Sequence, residues 1–97
     1  MCREEIIEKI LVPNEEIISF KEIDGEIVFF HKEERNLYEL NETANFIWKE
    51  LIKGKKPKDV IRSMQKKFKE IKKEVLEKDV LDFIKKLIDK KIFLVKK

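Results

Sequence analysis

The dipeptide Asp24-Gly25, at the centre of the run IISFKEIDGEIVFFH over residues 17–31, constrains the fold of this chain more than any other feature. Asp-Gly accepts the two positive φ angles of a tight turn, and the flanks are rich in β-branched and aromatic residues, so the run reads as a hairpin with a two-residue loop. That loop length sets the register. Phe20 then opposes Phe29 and Glu22 opposes Ile27 on one side, while Lys21/Val28 and Ser19/Phe30 lie on the other. Both faces carry apolar groups. The polar turn KEERN leads into a third short strand at Leu37-Tyr38-Glu39-Leu40, so the expectation is three antiparallel strands.

Helical patterning follows the strands. Asn41 reads as an N-cap, with Glu42 at the positive end of the helix dipole. Ala44, Ile47, Trp48, Leu51 and Ile52 fall on one arc of that first helix, Phe46 lies away from it, and Gly54 ends it. Pro57 suits the first turn of a second helix whose stripe is Val60, Ile61, Met64, Phe68 and Ile71. A third helix, expected from about Glu77 to Lys90, carries Val80, Leu81, Phe83, Ile84, Leu87 and Ile88. At ~100° per residue this apolar arc spans roughly 160°, wider than the ~100° that one core contact requires. Either a small core buries the whole arc or one edge of it stays open. Ile92 to Val95 close the chain as an apolar tail or strand. Before the hairpin, Ile6, Ile7, Ile10 and Leu11 have helical spacing that Pro13 terminates, so residues 1–16 read as an arm or short helix and 17–97 as the domain.

Composition narrows the function. A chain of 97 residues buries only a modest core, which argues against an enzyme with a deep pocket. One Cys and one His supply no disulfide, no thiolate cluster and no catalytic or metal ligand set, so no cofactor is expected. No apolar run approaches the ~20 residues of a membrane helix, and the acidic N-terminus is unlike a secretory signal; the expected location is the cytoplasm. The formal charge of +3 conceals a division: residues 1–50 hold 6 basic and 13 acidic side chains, residues 51–97 hold 17 and 7. Such a split fits a basic surface for an acidic partner, or two halves that attract one another.

Individual residues offer little chemistry. His31, at the end of the second strand, reads as a packing or surface residue with no nucleophile beside it. Cys2 reads as an exposed thiol. Glu15-Glu16 and Glu33-Glu34 read as solvated charge. Trp48 reads as core, whereas Tyr38 is open to either a core or a partner-binding role.

The run Tyr38-Glu39-Leu40-Asn41-Glu42-Thr43-Ala44-Asn45-Phe46-Ile47-Trp48-Lys49-Glu50-Leu51 resembles the signature of the PqqD-like family, the pyrroloquinoline quinone synthesis protein D type, in which a Leu-Asn-x-Thr-Gly/Ala-x-x-Ile-Trp segment joins the sheet to the first helix. The later Val80 to Leu87 is similar to the family's terminal helix, and the likeness covers residues 17–95. It implies an α+β, winged-helix-like domain: a three-stranded antiparallel sheet followed by a three-helix bundle. It also implies a non-catalytic recognition element that binds the leader of a ribosomally made precursor peptide and presents its core to a modifying enzyme, often a radical SAM enzyme. The leader would lie between the third strand and third helix. That maps onto Asn36, Leu37, Tyr38, Glu39 and Leu40 and onto Val80, Phe83, Ile84, Leu87 and Ile88, with Lys85, Lys86 and Lys90 as a charged rim for acidic leader residues. The oligomeric state is left open. The chain departs from the family at Lys91, where Gly is frequent after the last helix, so a different helix end is expected there. The competing reading is a nucleic-acid-binding winged helix with Lys66, Lys67, Lys69, Lys72 and Lys73 on phosphates; against it, the third helix offers no Arg, Asn or Gln to read bases.

Overall fold

The computed structural model describes residues 6–96. Two small sheets and three helices share one core. Strands β1 (Leu11–Pro13), β2 (Ile18–Ile23), β3 (Glu26–His31) and β4 (Asn36–Glu39) are followed by α1 (Glu42–Ile52), α2 (Pro57–Lys67), α3 (Lys73–Asp89) and β5 (Phe93–Val95).

The hairpin has the expected register, Phe20 opposite Phe29 and Glu22 opposite Ile27. Asp24 and Gly25 both take positive φ, 51° and 82°, which is the geometry that matches the twist of the two flanking strands. Strand order is β2-β3-β4, antiparallel throughout, so β4 is an edge. Ile18, Ile27, Phe29 and His31 are buried on the inner face. His31 is a packing residue whose Nδ1 accepts the Glu34 backbone N–H at 3.2 Å.

The N-terminal segment is helical at Ile6 and Ile7, as expected, and departs from the helical expectation after them. Leu11 lies in a strand, and β1 pairs antiparallel with β5, Leu11 opposite Val95 and Pro13 opposite Phe93. Pro13 is tolerated because this sheet has only two strands and needs no second ladder there. Instead of standing off as an arm, the segment brings Ile6 and Leu11 into the common core. Asn14 fastens the junction: its backbone N–H donates to the Ile92 carbonyl and its Nδ2 to the Lys91 carbonyl, each at 2.9 Å. The expectation for Cys2 lies outside the described residues.

Asn41 caps α1 as expected, its Oδ1 accepting the Ala44 N–H at 2.8 Å. Ile47, Trp48 and Leu51 are buried, whereas Ile52 is exposed and Glu50 is buried in its place. Lys55 and Lys53 hold the Glu50 carboxylate at 3.2 and 3.5 Å. Asn45 joins α1 to the hairpin: Oδ1 accepts the Ile27 N–H at 2.7 Å, and Nδ2 donates to the Gly25 carbonyl at 3.0 Å. The Lys49 ammonium donates to the same carbonyl. Helix α2 buries Val60, Ile61 and Met64 but stops at Lys67, so Ile71 lies beyond it and is exposed. Phe68 caps that helix and meets Phe46 edge to face at 6.3 Å, which accounts for a Phe that lies off the main stripe of α1. Helix α3 begins at Lys73, about a turn earlier than expected.

The end of α3 keeps the geometry that a glycine would favour. Lys91 has φ 61°. The Ile92 N–H donates to the Leu87 carbonyl at 2.8 Å and the Lys91 N–H to the Ile88 carbonyl at 3.0 Å, the paired bonds of a Schellman motif. The expected difference at the helix end is therefore absent, and a lysine occupies the left-handed position at a cost of about 1 kcal/mol or more. Lys91→Gly removes that cost but adds backbone entropy to the unfolded chain, so a net gain of about 0.5 kcal/mol and a melting rise of a few degrees are expected. Calorimetry on the two proteins checks this.

Trp48 is the centre of the core. Its indole stacks on Phe29 with centroids 4.9 Å apart and takes the edges of Phe93 at 4.8 Å and Phe20 at 5.4 Å. Truncating a buried aromatic costs about 3–5 kcal/mol, against a total of about 5–15 for a domain. Trp48→Ala is expected to lose cooperative unfolding or to melt at least 12 °C lower, as judged by circular dichroism.

Candidate functional site

A groove of about 180 Å³ opens between strand β4 and helix α3. Its apolar walls are Tyr38 and Leu40 on one side and Phe83 and Leu87 on the other, with Phe29 and Ile92 also lining it. Glu34, Glu39, Lys86 and Lys90 form the rim. The groove continues past Phe83 and Lys86 into a second cavity of about 370 Å³, bounded by the start of α1 (Asn41, Thr43, Ala44) and by Asp79 and Asp82. Among the described residues the outer side of β4 has no strand partner, so an extended polar edge lies beside an apolar trough.

Local chemistry explains why the trough stays open. Tyr38 is half-buried, stacked on Phe29 at 4.9 Å with 16° between the rings, and its hydroxyl donates to Glu34 Oε1. Its ring is thus held upright as a wall. At the far end the left-handed Lys91 turns the chain so that Ile92 packs under Leu87, the contact that accompanies a Schellman end.

The residues expected to form the site divide. Tyr38, Leu40, Phe83, Leu87, Lys86 and Lys90, together with the backbone of Asn36 to Glu39, meet at the groove. Val80 and Ile84 do not: both are fully buried in the core. Lys85 and Ile88 face Ile6 and Asp89 on another flank. Leu37 points to the opposite face of the sheet, beside Val28 and Phe30. The open edge of the wide arc is therefore at Phe83, with the buried Leu87 at the floor of the groove. Phe29, Ile92 and Glu34 also line the groove; the hairpin register sets Phe29 opposite Phe20 without saying which face is inward, and nothing local marks Ile92.

The hydrogen bond from Tyr38 holds the Glu34 carboxyl below its ordinary value of 4.5, opposed by partial desolvation and aided by the charges of His31 and Lys90. The same bond raises the Tyr38 hydroxyl above 10.0, partly offset by a hydrogen bond with Asn36. Because the folded Glu34 value is depressed, the bond contributes above the ordinary value and is lost as pH falls through the folded one. Tyr38→Phe is expected to return the Glu34 titration upward, as followed by its side-chain carbonyl resonance. Among the described residues no group of three His, Cys, Asp or Glu side chains is placed to hold a metal ion, and no helix is long and apolar enough to cross a membrane.

Comparison with solved structures finds the same fold in chains of low identity. "Lasso peptide synthetase B1 complexed with the leader peptide" superposes with a TM-score of 0.74 at 22% identity, covering 88% of this chain and 98% of that one. "TbiB1 in Complex with the TbiA(beta) Leader Peptide" gives 0.69 at 23% identity, with 79% and 88% covered. No curated protein sequence matches. The family model for coenzyme PQQ synthesis protein D matches residues 26–92, from the second hairpin strand through the Asn41-capped helix to Ile92 below the groove, and the chain belongs to the PqqD family.

Proposed function

We propose that this protein is a non-catalytic recognition element that binds the leader of a ribosomally made precursor peptide and presents the attached core to a modifying enzyme, a radical SAM enzyme being the class the family suggests. The observation that carries this reading is the apolar groove lying directly beside the unpaired edge of β4. An extended peptide can add there as a strand, drawing affinity from main-chain hydrogen bonds while alternate side chains enter the trough. Family membership and the leader peptides named in the two structural neighbours support it. Tyr38, Leu40, Phe83 and Leu87 receive apolar leader side chains. Asn36 to Glu39 supply the ladder, and Lys86 and Lys90 meet acidic residues at the rim. Such chemistry needs no cofactor and fits a cytoplasmic protein. The nucleic-acid reading gains nothing from the groove, because the lysines it invokes lie on α2 and the turn after it.

The test is calorimetric titration with a leader peptide encoded beside the gene. Phe83→Ser and Tyr38→Ala are expected to weaken binding about tenfold or more through lost apolar burial, with folding checked by melting. Methylating leader amides that face β4 is expected to do the same. Raising salt from 50 to 200 mM is expected to change affinity by less than tenfold, whereas a complex resting on several phosphate contacts loses about 10³-fold or more. Amide shift changes that spare residues 36–40 and 83–90 would overturn the reading. Leu87 is too deeply buried for a charge at that position to be a clean probe.

A further inference from the structure

The basic half of the chain is only partly neutralised by the fold. Lys53 and Lys55 pair with Glu50, and Lys56 and Lys58 with Glu8. By contrast Arg62, Lys66, Lys67, Lys69, Lys72 and Lys73 are exposed, and none of them is in a salt bridge with a described residue. Two carboxylates, Glu70 and Glu74, lie within this stretch. The self-attraction of the two halves thus accounts for one set of lysines and leaves the other facing outward.

Two exposed apolar side chains accompany the unpaired set, Ile71 between Lys69 and Lys72 and Val75 two residues past Lys73. Ile71 is 38% exposed and Val75 is 47% exposed, on the turn into α3 and its first turn. Lys67 is held rather than free: its ammonium lies 4.9 Å from the Phe46 ring centroid and 5.8 Å from that of Phe68, so less side-chain entropy remains to be lost on binding. An apolar centre with a charged rim is the anatomy of a protein interface. Phosphates would use the lysines but gain nothing from Ile71 and Val75, and the patch has a single Arg for bidentate contacts. A membrane surface would draw on larger apolar anchors than these two.

We infer that the surface formed by Arg62, Lys66, Lys69, Lys72, Lys73, Ile71 and Val75 is a second docking site, for a protein partner whose own surface is acidic around an apolar centre. Taken with the recognition reading, on which this identification alone rests, the partner is the enzyme that receives the leader-bound peptide. The two sites are compatible in space. Lys73 and Lys90 stand at opposite ends of α3, about 25 Å apart at 1.5 Å per residue, so occupation of the groove leaves the patch free.

The test is a set of titrations of isotope-labelled protein, read by amide shifts, with four probes. These are a peptide of six Glu-Glu-Leu repeats, one of six Glu-Glu-Ser repeats, a DNA duplex of equal charge and vesicles rich in phosphatidylglycerol. The leucine peptide is expected to perturb residues 62–75, to spare 36–40 and 83–90, and to bind about fivefold tighter than the serine peptide because it covers Ile71 and Val75. Lys69→Glu with Lys72→Glu is expected to weaken it about tenfold, and Ile71→Ser with Val75→Ser to reduce it to the level of the serine peptide. Both variants should melt like the parent and bind a leader unchanged. Equal affinity for the two peptides, tighter binding of DNA or vesicles, shifts confined to the groove, or no binding would each overturn the inference. A leader that fails to bind while the leucine peptide still marks 62–75 would remove the recognition reading and leave the patch standing.

Discussion

The stacking of Trp48 on Phe29 fixes the distance between helix and sheet, and most other contacts are built on that spacing. The indole reaches β3 through Phe29, β2 through Phe20 and β5 through Phe93. One side chain therefore registers α1, the hairpin and the C-terminal strand together. Its Nε1–H has no hydrogen-bond partner among the described residues, a desolvation penalty of about 1–3 kcal/mol that the surrounding apolar burial must exceed. Asn45 secures the same junction by polar means, since its side chain uses both an acceptor and a donor on the hairpin backbone.

Phe29 is the point where core and groove meet. One of its neighbours is Trp48 and the other is Tyr38, each at 4.9 Å and nearly parallel, so the aromatic stack runs from the fully buried centre to the wall of the trough. A change in the core would reach the site through rings in direct contact. At the opposite wall, α3 is located by Val80 and Ile84, which are sealed into the core, and that leaves Phe83 as the flank the core does not fully cover, with the buried Leu87 at the floor of the trough. The trough is thus a consequence of how a wide apolar arc divides between two neighbours.

Strong local signals carried much of this into the sequence. Asp24-Gly25 sets the hairpin register because a two-residue loop allows only one alignment, and Asn41 and Pro57 mark helix starts by chemistry that acts within one turn. The β1–β5 pair was not legible. Three-residue strands have too little periodicity to show, and the pairing of Leu11 with Val95 is decided by a contact 84 positions away in the chain. The helical spacing of Ile6, Ile7, Ile10 and Leu11 therefore holds at Ile6 and Ile7 and fails at Leu11, which that pairing draws into a strand. The same limit applies at the groove: periodicity showed that the α3 arc was too wide for one partner, but whether Val80 and Ile84 or Phe83 stayed open depends on where α2 and β5 pack. Ile71 continued the α2 stripe on a helical wheel, yet the chain leaves the helix at Phe68, whose ring turns to meet Phe46.

Charge follows the same logic as the apolar arc, in that what the fold does not use is displaced to one surface. Glu8, Glu22 and Glu50 take up five lysines from α1, the loop after it and the start of α2, and the N-terminal segment can place Glu8 there because β1 is anchored to β5. Past Lys58 no salt bridge joins the two halves among the described residues, and the six cations of residues 62–73 have no described salt-bridge partner. Solvation alone can accommodate them, since exposed charges cost little. It does not account for Ile71 and Val75 among them, because a segment with no function but solubility gains nothing from exposing apolar side chains between lysines. An apolar centre inside a basic rim is the surface for which we infer a protein contact, and the groove at the other end of α3 is the one we propose for the leader.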